Sequence, residues 1–79
     1  MDEQLIQFAC DSIKNYLHTS PTSADTAIGI HQWWIQWNDL PESILITTIA
    51  LRRLEESGLL ERRVIGNQEI WRLRRQPAT

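Results

Sequence analysis

The sequence predicts a mainly α fold, a three-helix core followed by a small two-stranded β-hairpin. Three observations carry that expectation. Apolar side chains recur at three-and-four spacing in separate stretches, as helices with a buried face require. The run ALRRLEESGLLERR, residues 50–63, changes from helical to strand patterning across Gly58, where glycine suits a left-handed helix cap. Gly66-Asn67 then separates two strand-like segments as a two-residue hairpin turn, both of whose positions tolerate positive φ.

Leu5, Phe8, Ala9, Ile13, Tyr16 and Leu17 mark a first helix over about residues 2–18, and Asp2 and Glu3 suit the positive end of its dipole. Thr19-Ser20-Pro21 breaks the pattern, and Thr22-Ser23-Ala24-Asp25 reads as a capping box opening a second helix. That helix is expected to run through Ala27, Ile28, Ile30, Trp33, Trp34 and Ile35 to about Gln36, apolar on more than one face. Gly29 inside it costs roughly 1 kcal/mol relative to alanine, which a close approach of the first or third helix would justify. Pro41 fits the opening turn of a third helix over about 41–57, with Ile46, Ala50, Leu51 and Leu54 facing inward. Strands are expected over 59–65 and 68–74. The two-residue turn sets Leu60 opposite Leu73, Glu61 opposite Arg72 and Arg62 opposite Trp71, so that Leu60, Leu73 and Trp71 share the side that packs on the helices.

With 79 residues, 42% of them hydrophobic, the chain is expected to form one domain over residues 2–75, with a loose tail over 76–79. A core this thin encloses no substrate cavity, so the expectation is binding without catalysis, with no cofactor and no small-molecule substrate. No stretch approaches the roughly 18 consecutive apolar residues of a membrane span, and the acidic start Met1-Asp2-Glu3-Gln4 is unlike a signal peptide. Cys10 is the only cysteine, which excludes an internal disulfide and agrees with a cytoplasmic location. Charge divides along the chain: residues 1–50 carry one lysine against six carboxylates, a net −5, and residues 51–79 carry seven arginines against four glutamates, a net +3.

Three helices with a hairpin entered directly from the third, through Leu-Glu-Glu-Ser-Gly-Leu-Leu-Glu-Arg-Arg, resemble the winged helix-turn-helix superfamily. The resemblance spans essentially residues 2–75, and its specific part is 50–75. It implies that the third helix lies in the DNA major groove while the hairpin, or wing, touches phosphate or the minor groove. A second stretch, Ala24-Asp25-Thr26-Ala27-Ile28-Gly29-Ile30-His31-Gln32-Trp33-Trp34, resembles one found in small bacterial proteins, some of them encoded beside phage-tail-like contractile machines.

The first expectation is a DNA-binding protein acting in transcription regulation, with a protein-interaction adaptor on the same scaffold as the alternative; for DNA, Thr48 and Arg52 on the third helix would read bases. Arg62, Arg63, Arg72 and Arg74 would place cations along the wing. The plainer reading of those arginines is a set of solvated strand residues, some paired with Glu61 and Glu69 and one stacked on Trp71. The outer face of the third helix also carries Leu45 and Ile49, and neighbouring tryptophans cannot both turn fully inward, so an exposed one, taken as Trp33, would form with Leu45 and Ile49 an apolar patch for a protein partner or a homodimer; the plainer reading is a central, wrapped second helix with Trp37 closing the core. An acidic domain with few basic residues lacks the usual electrostatic footprint for nucleic acid. Cys10, His18 and His31 lie on two helices without a recurring ligand spacing, and are expected to be structural, with no metal.

Overall fold

A computed structural model describes residues 2–75, and the tail expected over 76–79 lies outside them. Helix α1 (Glu3–Thr19) buries Ile6, Ala9, Cys10, Ile13 and Leu17 along one face. Asp2 caps it, its carboxylate accepting from the backbone N–H groups of Gln4 at 2.9 Å and Leu5 at 3.2 Å.

The second helix begins later than the capping-box reading places it. Ala24 and Asp25 form a short strand, β1 (Ala24–Asp25), and the cap is Thr26, whose hydroxyl accepts from the Gly29 N–H at 3.1 Å. Helix α2 (Ala27–Gly29) runs on as a π-helical turn, Ile30–Trp34. Gly29 answers to a different neighbour from the one expected: the Asp25 carboxylate lies where a Cβ would stand. That carboxylate also accepts from the Thr26 N–H at 2.7 Å, which holds it over the glycine. Beyond the π-helical turn the Trp37 indole N–H donates to the His31 carbonyl at 3.1 Å, satisfying one of the acceptors a helix end leaves open.

Helix α3 (Ile44–Glu56) starts three residues later than the proline suggests. Ser43 is extended, with φ −155° and ψ 127°, and Glu42 stays outside the helix with its carboxylate 3.4 Å from His31 Nε2. Ile46, Thr47, Ala50, Leu51 and Leu54 are buried. Thr47 is the polar member of that face, its hydroxyl 2.6 Å from His31 Nδ1. Gly58 ends the helix with φ +87°, and the Leu59 N–H reaches the Leu54 carbonyl while the Gly58 N–H reaches that of Glu55, both at 3.0 Å. This six-to-one and five-to-two pairing is a Schellman cap, which aims the chain straight into the next strand.

Strands β2 (Leu60–Ile65) and β3 (Gln68–Leu73) pair in the expected register, Leu60 with Leu73, Glu61 with Arg72 and Arg62 with Trp71. Within their turn only Gly66 takes a positive φ, +63°, the II′ pattern rather than one in which both central residues are left-handed. The expected two-stranded hairpin is in fact part of a three-stranded antiparallel sheet of order β1-β3-β2, because Ala24 and Asp25 pair with Arg72 and Trp71. Two residues are too few to show a strand's alternation in sequence. One apolar cluster joins α1, the π-helical turn, Trp37, α3, Leu60 and Trp71, and Tyr16 stacks on Trp34 with ring centroids 4.6 Å apart.

Replacing Gly58 with alanine should destabilise the fold by roughly 1–2 kcal/mol, the cost of a left-handed conformation for a residue with a Cβ. Urea unfolding checks this as a lower midpoint with unchanged slope. An unchanged midpoint would show that the cap does not constrain the chain.

Candidate interaction surfaces

Leu45, Thr48, Ile49 and Arg52 are spaced three and four apart, so they share the outer face of α3. Leu45 is 55% exposed and Ile44 beside it 46%. Ile49 is half-buried and packs against the core, so only an edge of it remains on the surface. The Thr48 hydroxyl donates to the Ile44 carbonyl at 2.9 Å, a bond within the helix itself. Arg52 is exposed, and among the described residues no carboxylate lies within 4 Å of it. Of the four tryptophans, Trp34, Trp37 and Trp71 are buried and Trp33 is 74% exposed. That settles the choice between the adjacent pair, which the sequence leaves open.

The arginines of the hairpin are largely engaged by the chain's own carboxylates. Arg62 lies between Glu55 of α3 and Glu69 of β3, 3.4 Å from each, with its guanidinium 5.5 Å from the Trp71 ring centroid. Arg72 donates to Glu61 at 2.6 Å, and Arg63 stands 3.9 Å from the same carboxylate. Arg53, not singled out from the sequence, grips Glu3 at the start of α1 with two bonds of 2.6 and 2.7 Å. Arg74 is exposed and has no carboxylate within 4 Å among the described residues. The six side chains named for DNA contact therefore divide: Arg62 and Arg72 are tied, Arg63 is loosely paired, the Thr48 hydroxyl is spent inside its helix, and Arg52 and Arg74 remain available. The Glu61–Arg72 pair was legible from strand register. The Glu55 contact and the Glu3–Arg53 bridge, fifty residues apart in sequence, carry no local signal.

These pairs perturb titration. The hydrogen bond from Arg72 holds the Glu61 carboxyl below its ordinary range, and those from Arg53 do the same to Glu3. Burial pushes the Cys10 thiol up, and its sulfur lies 3.8 Å from the Ala50 carbonyl, an arrangement opposite to that of an activated nucleophile. Among the described residues no three His, Cys, Asp or Glu side chains stand together as metal ligands would, and no helix is long and apolar enough to cross a membrane.

Comparison with known protein families, with curated proteins and with solved structures finds no match.

Because the folded Glu61 carboxyl titrates below its unfolded counterpart, near about 4.3, its stabilisation is complete above that pH and is lost as pH falls through the folded value. Glu61→Gln should therefore lose less stability than the wild type between neutral pH and pH about 3. Equal losses in urea titrations at the two pH values would show that the pair adds nothing.

Proposed function

We propose that the chain is a small, non-catalytic winged-helix binding module that docks another protein through the outer face of α3. The observation that carries this reading is the apolar character of that face: Ile44 and Leu45 are turned to solvent where a helix reading base edges needs polar groups. The strand order β1-β3-β2, with a hairpin held to α3 through Arg62 and Glu55, supports the winged-helix arrangement. The engagement of Arg62 and Arg72 by glutamates supports a partner other than phosphate. Trp33, large, rigid and exposed, has the character of an interface anchor.

Leu45→Glu is the direct test, since its exposure lets the fold survive, whereas Ile49→Glu would also disturb the core. A photo-crosslinker at position 48 should capture a protein in cells, and Leu45→Glu should abolish that capture while leaving the thermal midpoint unchanged. Capture that persists in a folded Leu45→Glu protein would sink the reading.

Duplex DNA binding in transcription is the second reading, favoured by the exposure of Arg52, Arg63 and Arg74. Protein docking predicts association with random duplex DNA weaker than about 100 μM at low salt. Micromolar binding that weakens steeply as salt rises, and that is removed by replacing Arg52 and Arg74 with alanine, would establish the DNA reading instead.

A further inference from the structure

A groove of about 770 Å³ lies where the end of α1 meets the turn out of α3. It is distinct from the proposed docking face, since Leu45 stands near the other end of α3, roughly 20 Å along the axis at 1.5 Å per residue. Its floor is apolar: Leu17 is buried, and Leu59 and Leu73 are half-buried against the core. Its rim is polar and carries two cations, Lys14 and Arg74. Lys14 and His18 stand one turn apart on α1, and the Arg74 guanidinium comes within 3.9 Å of where a Cβ on Gly58 would stand. Among the described residues no carboxylate lines the groove, and none lies within 4 Å of Lys14 or Arg74. In a chain of net charge −2 that neutralises Arg53, Arg62 and Arg72 with its own glutamates, this is a place where Lys14 and Arg74, with no carboxylate partner among the described residues, frame a leucine surface.

We infer that the groove binds an acidic, leucine-bearing segment of a partner protein. An apolar side chain of that segment seats on Leu17, Leu59 and Leu73. Its flanking carboxylates meet Lys14 and Arg74, with His18 as a further ring N–H donor. A nucleic-acid backbone would use the cations and leave the leucine floor uncovered, and a membrane surface cannot follow a concave floor. The apolar seat supplies affinity and the rim supplies selectivity and rate.

The test is titration of the isotope-labelled chain with the peptide acetyl-EELDEL-amide, followed by amide chemical shifts. Saturable shifts are expected at Leu17, Gly58, Leu59 and Leu73. Lys14→Glu and Arg74→Glu, both at exposed positions, should each weaken binding about tenfold or more while the remaining spectrum stays folded. The basic peptide acetyl-KKLRKL-amide should leave the groove unshifted, and Leu45→Glu should bind the acidic peptide as the wild type does, which separates this site from the α3 face. No shifts at millimolar peptide, equal response to the basic peptide, or shifts confined to the α3 face would each overturn the proposal. Dodecanoate binding with the peptide silent would overturn it too, by assigning the groove to a small amphiphile.

Discussion

The seating of Trp71 beneath Arg62 is the contact on which the rest of the architecture turns. Trp71 lies on the central strand, opposite Arg62 on one side and Asp25 on the other, and is 2% exposed. Arg62 covers its ring and is held in turn by a glutamate from α3 and another from β3. One aromatic ring and one guanidinium thus fasten sheet to helices. A two-stranded hairpin alone is marginal in water, so the ribbon's order is borrowed from this contact. Removing so large a buried ring costs about 3–5 kcal/mol, a substantial part of the roughly 5–15 kcal/mol that small domains possess. Among the described residues the buried indole N–H finds no partner, which places the residue's contribution in its ring rather than its polar atom.

That fastening constrains what the hairpin can offer. An arginine that clamps an indole and bridges two carboxylates is committed to the fold, and releasing it toward a phosphate would loosen the hairpin that presents it. The same holds more weakly for Arg72, whose partner stands directly across the ribbon. Much of the arginine gathered in the last third of the sequence therefore becomes internal cross-bracing in three dimensions. What the fold leaves exposed includes the apolar edge of α3, Trp33, Ile28 and the hairpin-tip residues Val64 and Ile65, beside the cations it does not pair.

Much of the architecture was legible because its signals are local. The spacing in α1, the glycine cap of α3 and the two-residue turn each depend on residues close in sequence, and the turn length fixed the strand register. What escaped depends on contacts between distant segments. Strand β1 exists because Trp71 and Arg72 offer it an edge, and Gly29 is required by a carboxylate four residues earlier rather than by another helix. Glu42, left outside α3, lies 3.4 Å from His31, and the buried Thr47 places its hydroxyl 2.6 Å from the same histidine, contacts that join segments distant in sequence. On the candidate surfaces, the exposure of Leu45 followed from helical phase. The half-burial of Ile49 followed from packing, and the polar rim of Lys14, His18 and Arg74 arises only when the end of α1 is brought beside Gly58.

Cys10 is buried between α1 and α3, its sulfur facing the Ala50 carbonyl. A thiol placed there is reached by an alkylating reagent only when those two helices part, and burial keeps it in its unreactive protonated form until they do. The chain therefore carries its own chemical clock: the rate at which this single sulfur is modified measures how often the helical core opens, without any added probe.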